Sequence, residues 1–530
     1  MRFLTVDQMR AADQAAGAEK GIPSGVLMAR AGAAVARAVE KLASLRGVRS
    51  VVLVAGHGNN GGDACVAARC LREDGFHVQV IMTCVPATLK GDAREAWDEM
   101  RTSGVPYVVL ASEESWKEDV GVFAGTLLRH GILVDGVLGT GCKGAPAGAA
   151  ELAIRWINRM RRHALVVAAD LPSGMNGDTG EAAGAVVRAD VTVTFARPKR
   201  CFLNAAQADK VGHLVVADIG IPGDVCDRGA PDAPCGLIAL PEIVEGLVAR
   251  DWSAHKGAFG HVCVLGGSAG FCHAPVLAAL GAVKSGAGLV TLAAPAGSGC
   301  AAAAHVPEAM MHALEAPQGD LSVASLRAWG RDLGGFDAVV AGPGLGQSER
   351  ARELVSYLLS EYPGKLVLDA DGLNALAAWA ADGWQPREGQ ALVVTPHPGE
   401  AARLLGVSAQ DVQRDRLAAV RKLADRYQAV AVLKGAGSLV CEPGGLPRLN
   451  LTGNPGMASG GTGDVLAGMI GALWAQGLSA ADAAAAGVWA HGSAGDLAMF
   501  AGSQASLSAT SLAARLEAVF QVLERAANER

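Results

Sequence analysis

The chain predicts an α/β protein built as two three-layer αβα domains, and three observations predict it. Short continuous apolar runs recur and end in small or polar residues, as in Ser50-Val51-Val52-Leu53-Val54-Ala55-Gly56. Such runs are the mark of strands buried on both faces of a parallel sheet. Segments with helical spacing alternate with them, which implies βα units. An aperiodic stretch rich in Gly, Pro and Asp, GIPGDVCDRGAPDAPCG at 220–236, then interrupts the series. A chain of 530 residues is also too long for one ordinary core. The first domain is placed at 1–222, a linker at 223–237 and the second domain at 238–530.

The elements follow in order. Residues 5–17 read as a helix with Thr5 or Asp7 near its start, and a second helix runs from about Pro23 to Leu45. After the first strand come strands near 77–82, 132–135, 164–169, 190–195 and 213–217, with helices or loops between them. Beyond the linker, strands are expected near 261–265, 288–293, 337–341, 365–369, 391–394, 429–433 and 438–441. Helices are expected at about 273–285, 349–361, 399–405, 411–427, 464–476, 479–500 and 510–526. No repeat of 20–50 residues relates the halves, so they are different α/β domains.

Composition narrows the function. Half the residues are hydrophobic and 18% are charged, a globular balance. The net charge is −6 and aromatics are 4%, so neither the electrostatic footprint nor the stacking platforms of a nucleic-acid binder are present. The odd count of 11 cysteines without a C-x-x-C fits reduced thiols, not a disulfide framework or a zinc site. The charged N-terminal stretch lacks a signal-peptide core, and the most apolar windows are broken before membrane-spanning length. A soluble, cytoplasmic protein is expected, with no membrane or nucleic-acid partner.

Chemistry concentrates in two glycine turns that feed helices. In Thr452–Gly477, Gly460-Gly461-Thr462-Gly463 lets backbone approach an anion, and Asp464 opens a helix. Free N–H groups and the helix dipole there favour phosphate. A carboxylate at that spot would repel an anion, but it makes sense as a base for a hydroxyl attacking phosphorus. The competing reading is a helix cap. In the first half, Gly56-His57-Gly58-Asn59-Asn60-Gly61-Gly62-Asp63 sits between a strand and a helix expected from Ala64. Asn60, Asp135 and Ser173 offer oxygens to a hard cation, with ordinary loop hydrogen bonding as the alternative. His397, held between two prolines, is a ligand-contact or a structural histidine. Lys434 is a phosphate partner or a strand-end lysine.

GNNGGD, VDGVLGTG, AADLPSG, DVTVTFARPK and DIGIP, in this order, resemble the NAD(P)H-hydrate epimerase domain of the YjeF N-terminal family, a Rossmann-like fold. The resemblance implies that Asn59, Asn60, Gly61, Gly62 and Asp63 contact the damaged nucleotide. It implies that Asn60, Asp135 and Ser173 hold potassium. The loop Gly139, Thr140, Gly141, Cys142, Lys143, Gly144 and Ala145 would cradle phosphate, and Asp170 would face the reacting ring. Ala64 and Lys199-Arg200-Cys201 depart from the family pattern.

GPGLG, TPHPGE and GGTGD resemble the ADP-dependent NAD(P)H-hydrate dehydratases of the ribokinase-like superfamily. By that resemblance Ala274, Gly344 and His397 contact the hydrate. Lys434, Gly435, Ala436, Gly437, Ser438 and Gly463 bind ADP, with Mg2+ accompanying the nucleotide. Asp464 acts at the hydrate hydroxyl. Phe271 and His273 stand where small residues are usual. The whole chain thus resembles a bifunctional repair family acting on NADH hydrate and NADPH hydrate (NADHX and NADPHX), and a homo-oligomer is expected. The alternative is a ribokinase-like small-molecule kinase joined to a nucleotide-binding scaffold domain.

Overall fold

The computed structural model describes residues 1–118, 131–142, 144–247, 250–296, 304–381 and 385–528. It divides into two compact units, Met1–Ala233 and Pro234–Arg530.

Unit 1 opens with α1 (Val6–Lys20), started by a capping box between Thr5 and Gln8, and α2 (Ser24–Arg46). Then come β1 (Ser50–Ala55), α3 (Asn59–Glu73), β2 (His77–Met82), α4 (Gly91–Thr102), β3 (Tyr107–Val109) and α5 (Glu113–Glu118). The second half runs β4 (Ile132–Gly136), α6 (Gly148–Met160), β5 (Leu165–Ala169), β6 (Val191–Phe195), α7 (Ala208–Val211), β7 (His213–Ala217) and α8 (Gly223–Arg228). Among the described residues these strands form one sheet in the order β3-β2-β1-β4-β5-β6-β7, parallel throughout. Alternate strand residues face opposite layers. Val52, Val54, Leu133 and Val166 pack with Trp116, Ile154, Trp156 and Ile157 of α5 and α6. The sheet reverses its winding between β1 and β4, the place where an open α/β sheet opens a crevice at its carboxyl edge.

Unit 2 begins with β8 (Gly236–Leu237), α9 (Leu240–Gly246), β9 (His261–Leu265), α10 (Ala274–Lys284), β10 (Leu289–Pro295), β11 (Met310–Leu314) and α11 (Val323–Trp329). It continues with β12 (Ala338–Ala341), α12 (Glu349–Glu361), β13 (Leu366–Leu368), α13 (Asp371–Ala381), β14 (Leu392–Val394) and α14 (Pro398–Leu405). Next are α15 (Ala409–Arg414), α16 (Arg416–Tyr427), β15 (Val430–Leu433), β16 (Leu439–Cys441) and β17 (Arg448–Leu449). The unit closes with α17 (Thr462–Ala475), α18 (Ala480–Ala501), α19 (Ala509–Ala513) and α20 (Leu516–Asn528). Its sheet order is β11-β10-β9-β12-β13-β14-β15-β16-β17-β8, parallel except where β16 meets β15 and β17. Val262, Val264, Val340, Val367 and Val432 bury one face against α17 and α18, whose Ala, Ile and Leu side chains are nearly inaccessible. The switch point lies between β9 and β12.

Several expectations need correction. The helix expected from Ala64 starts at Asn59, so the Asn-Asn-Gly-Gly-Asp stretch is helical backbone, not loop. The stretch 223–237 is not bare linker: it carries α8 and β8, and β8 pairs in parallel with β17. The single helix expected at 411–427 is two, because Asp415 leaves helical geometry at φ −140 and its side chain caps the next helix at Ala418 N. The helix expected at 510–526 is likewise α19 and α20. Strands β3, β8, β11 and β17 escaped prediction; β8 and β17 have two residues and β3 three, too short for a periodic signal, and β11 is a partly exposed edge strand whose burial does not alternate. Among the described residues no helix is long and apolar enough to cross a membrane.

Candidate active sites

In unit 1 the switch point gathers the first set of candidates. The turn after β1 packs so closely that a Cβ on Gly61 would fall 2.1 Å from the Gly56 carbonyl oxygen, which only glycine permits. This sets Asn60 beneath the end of the sheet, 6% exposed, where its amide nitrogen donates to the carbonyls of Leu138 (3.0 Å) and Ala169 (2.9 Å). Asp135, at the end of β4, is fully buried. Its carboxylate accepts from Ser173 Oγ at 2.6 Å, Ser173 N at 2.8 Å and Val137 N at 3.2 Å. Ser173 Oγ in turn accepts from Leu138 N at 2.7 Å. Asn60 and Ser173 therefore meet at Leu138, and Asp135 joins them through Ser173, in the hydrogen-bonded arrangement that loop structure alone would produce. Burial pushes the Asp135 carboxyl up to about 6, with the hydrogen bonds from Ser173 and Val137 pulling the other way.

Gly139 lies directly over Asn60, since a Cβ on it would stand 3.2 Å from the Asn60 side-chain oxygen. Thr140, Gly141 and Cys142 form the turn that follows, closed by Cys142 N donating to Gly139 O at 3.1 Å. Cys142 and Gly144 line a cleft with Gly174, Asn176, Thr179 and Glu181, and Ala145 packs beside Gly184. Lys143 lies outside the described residues.

The second set surrounds Asp170, which follows β5 in a left-handed conformation, φ 62, with Leu171 N donating to Ala169 O across it at 2.8 Å. Ala196, after β6, repeats the device at φ 58. Left-handed non-glycine residues cost energy and persist where the surroundings demand them. Here both turns serve one contact: Lys199 Nζ donates to Asp170 Oδ1, to Thr194 Oγ1 at 3.0 Å and to the Phe195 carbonyl at 3.3 Å. All three ammonium hydrogens are used, and Lys199 is 2% exposed. Asp63, from α3, joins the cluster; burial, then the Asp170 charge, raise its carboxyl well above the usual range, with Lys199 opposing. Asp13 of α1 stands at the edge, held up to about 6 by lost water even though the residue keeps an exposed side. Asn59, one turn earlier on α3, is exposed at the rim, and Gly62 packs against Met28. Sequence reasoning missed Lys199; its signal was the position four residues beyond a strand end that points at the same edge.

In unit 2, α17 starts at Gly461, φ 90, and places Asp464 in its first turn. Thr462 Oγ1 donates to Met457 O (3.0 Å) and Ser459 O (3.1 Å), tightening the glycine turn. His491 of α18, buried, donates from Nε2 to Thr462 O at 2.8 Å; burial pushes its pKa down to about 4, so it is a neutral brace. Two strand ends and the first turn of α14 bring charges toward Asp464. Asp369, after β13, accepts from Lys434 Nζ at 2.6 Å and from Thr395 Oγ1 at 2.8 Å. Lys434, after β15, also lies 3.9 Å from Glu400 Oε2. Burial disfavours the ammonium, but the Asp369 and Glu400 carboxylates outweigh it and its pKa rises. Asp464 is pushed up to about 7, first by burial, then by Asp369, with Lys434 opposing.

His397 is the N-cap of α14, with Nδ1 accepting from Gly399 N (3.0 Å) and Glu400 N (3.3 Å). Glu400 Oε2 answers by accepting from His397 N at 2.8 Å. Burial, then Lys434 and Arg403, lower the His397 pKa, and the Nε2 of the half-exposed ring lies 3.4 Å from Glu400 Oε1. Gly344 takes φ 65 after β12; a Cβ there would meet Phe271 O at 2.4 Å and the Ala274 Cβ at 3.3 Å, so Gly344 and Ala274 form one wall. Ser268 Oγ holds that wall by donating to Gly344 O at 2.8 Å. Gly463 sits where a Cβ would stand 3.3 Å from Lys434 Nζ. Gly435 (φ 140), Ala436 and Gly437 (φ 67) make the turn after Lys434, and Ser438 Oγ donates to Gly435 O at 3.2 Å. Asp369 and Glu400 carry no assigned role from sequence, although DADG and PHPGE contain them; the lysine they share, Lys434, is distant in the chain.

Two α/β units, each with a glycine turn entering a helix at the sheet's carboxyl edge and a lysine locked to a strand-end aspartate beside it, define a pair of nucleotide-handling enzyme domains. Family models agree: residues 24–201 match the YjeF-related protein N-terminus and residues 262–517 match NAD(P)H-hydrate dehydratase. A bifunctional NAD(P)H-hydrate repair enzyme of Moorella thermoacetica is 39% identical over 99% of this chain and 97% of its own length. Those of Coxiella burnetii and Escherichia coli are 38% and 35% identical, each over 93% of this chain and over 94% and 88% of their own lengths. The chain belongs to the family of bifunctional NAD(P)H-hydrate repair enzymes. Among solved structures, an ADP/ATP-dependent NAD(P)H-hydrate dehydratase from Bacillus subtilis, co-crystallised with ATP and Mg2+, is 29% identical over 55% of this chain and 99% of that one, at a TM-score of 0.48.

Proposed function

We propose that unit 1 interconverts the R and S forms of NADH and NADPH hydrates, and that unit 2 dehydrates the S form with ADP, releasing AMP and phosphate. The observation that carries this reading is Asp464: a carboxyl in the first turn of a helix entered by glycines, with a pKa near neutrality. A base poised near the working pH is what a hydroxyl attacking phosphorus requires.

In unit 2, Asp464 takes the proton of the C6 hydroxyl as its oxygen attacks the β-phosphorus of ADP. Backbone amides of Gly461 to Gly463 stabilise charge on the transferred group, a kind of contact worth ~3 kcal/mol in the transition state. The lone pair of the ring nitrogen then expels phosphate, and the adjacent ring carbon loses a proton to restore the dihydropyridine. Ala274, Gly344 and His397 form the hydrate wall, while Lys434, the 435–438 turn and Gly463 hold ADP. Mg2+ would come on the phosphates and supply charge neutralisation. Magnesium needs only one or two carboxylates besides phosphate, and the hard oxygens of Asp369 and Glu400 fit that need. Among the described residues no cluster of three or more His, Cys, Asp or Glu side chains is arranged to hold a metal alone.

In unit 1, Asp170 shuttles the proton as the C6 hydroxyl leaves and water returns to the other face. Lys199 fixes that carboxylate in place. Asn59 to Asp63 and the 139–145 loop bind the nucleotide. The oxygens of Asn60, Asp135 and Ser173 fit a potassium ion in donor chemistry, and the ion would offset the buried Asp135 charge. Ten free cysteines among the described residues suit a reduced cytoplasm, where these nucleotides reside.

The test is to incubate the full chain with NADH hydrate and ADP, then with ATP. Return of the reduced-nicotinamide absorbance with AMP and phosphate formed is expected. A stable phosphorylated product without that return would overturn the reading.

A further inference from the structure

Two buried hydroxyls on one strand of unit 1 are put to different uses. Thr192 and Thr194 lie on the same face of β6, and both are fully buried. Thr192 Oγ1 donates to the Val211 carbonyl at 2.6 Å, the ordinary use of a buried strand hydroxyl. Thr194 Oγ1 meets two charged groups instead. It accepts from Lys199 Nζ at 3.0 Å and donates to Asp170 Oδ1 at 3.1 Å. A lysine ammonium has only donors, so the threonine proton lies toward the carboxylate. The backbone sets up this contact: Asp170 N donates to Val193 O at 2.7 Å, beside Thr194.

Lys199 Nζ donates to the same carboxylate oxygen, so Lys199, Thr194 and Asp170 close a triangle. Oδ1 receives two hydrogen bonds, each strengthened by charge. Among the described residues no protein donor meets Oδ2, and the Asp170 side chain keeps 12% of its surface accessible. Two donors from different directions on one oxygen hold the carboxyl group against rotation and leave its other oxygen open.

We propose that Thr194 is a positioning residue for epimerisation: by bridging Lys199 and Asp170 it fixes Oδ1 and leaves Oδ2 as the oxygen that moves the proton. The inference rests on the reading that Asp170 is the proton carrier of unit 1. When the C6–O bond breaks, Oδ2 gives its proton to the departing oxygen, which leaves as water while the ring nitrogen's lone pair forms a double bond to C6. When water bonds C6 on the other face, the electron pair returns to nitrogen and one water proton passes to Oδ2. The titratable groups around this carboxyl are Asp13 of α1, Asp63 of α3, and Lys199 and Cys201 beyond β6.

The experiment follows conversion of the pure R hydrate of NADH by chromatography, without ADP, across a range of pH. It compares the full chain with Thr194→Val, Thr194→Ala, Thr194→Ser, Thr192→Val and Asp170→Asn, with thermal unfolding as the fold check. Thr194→Val keeps the shape and deletes the hydroxyl. A donor lost from a carboxylate favours its protonated form, so the limb of the pH profile that reports this carboxyl should move up by about one pH unit. At the optimum kcat should fall about tenfold, with the KM for hydrate within about twofold. Thr194→Ala should move the limb in the same direction. Thr194→Ser should return the limb to its place and kcat to within about threefold of the parent. Thr192→Val, which deletes a buried hydroxyl outside the triangle, should leave the limb where it is. An unmoved limb in folded Thr194→Val and Thr194→Ala, a limb moved equally by Thr192→Val, or a serine that restores nothing reduces Thr194 to packing and overturns the proposal. Undiminished conversion by Asp170→Asn overturns instead the proton-carrier reading beneath it.

Discussion

The two sites are built from the same parts and differ in which acid is left unpaired. Each has a lysine locked to a strand-end aspartate: Lys199 to Asp170 in unit 1, Lys434 to Asp369 in unit 2. In unit 1 the paired aspartate is itself the proposed proton carrier, and burial, then the Asp170 charge, raise the carboxyl of the helix acid Asp63 well above the usual range. In unit 2 the paired aspartate is a fixed neighbour, and the helix acid Asp464 is the one poised near neutrality. The difference comes from solvent. Asp63 is 7% exposed, while Asp464 keeps partial contact with water, so burial disfavours the charge of the first more strongly than that of the second.

The largest break of this comparison is Asp464→Asn. Dehydration should fall by roughly a thousandfold or more, while R-to-S conversion continues, measured by absorbance return and by chromatography of the two hydrates. The same variant should be more stable above neutral pH. A carboxyl raised in the folded state binds its proton more tightly there than in the unfolded chain, so ionising it between about pH 4 and 7 costs stability. Thermal unfolding across that window should lose part of its pH slope in the variant.

Lys199→Gln attacks the other pair. Epimerisation should drop roughly a hundredfold and unit 1 should lose about 3 kcal/mol of stability, because Asp170 is left buried without its cation. Dehydration of pure S hydrate should stay within twofold. Equal loss of both activities in a folded variant would break the independence of the sites.

The pH profile sharpens the contrast in a smaller range. With Asp464 at about 7, facing Asp369, Glu400, Asp371 and Lys434, kcat/KM for the hydrate should fall about tenfold per pH unit below neutrality. Asp464→Glu should shift that limb if the assignment holds.

Gly344→Ala should have the mildest effect: a Cβ 2.4 Å from Phe271 O, at φ 65, costs about 1–3 kcal/mol and raises the KM for hydrate several-fold. A lowered kcat with unchanged KM would place Gly344 outside the hydrate wall.

Much of the fold was readable along the chain because parallel strands buried on both faces are continuous apolar runs, as at Val51–Ala55 and Val430–Leu433. The glycine turns and Asp464 were readable for a local reason: both depend on consecutive residues. The short edge pieces β8 and β17 were not, since two residues carry no period and exist only as a pair. Asn59 to Gly62 look like loop residues by composition, yet they fold as the first turn of α3, where Gly61 passes close to the Gly56 carbonyl.

The sequence by itself determined the class of fold, the family, and the glycine turns proposed to meet phosphate, because these follow from local pattern and motif. Tertiary structure alone decided the charges around them. Lys199 finds Asp170 across 29 residues and Lys434 finds Asp369 across 65. Burial and neighbours separated by such distances set a protonation state, and no local pattern encodes them.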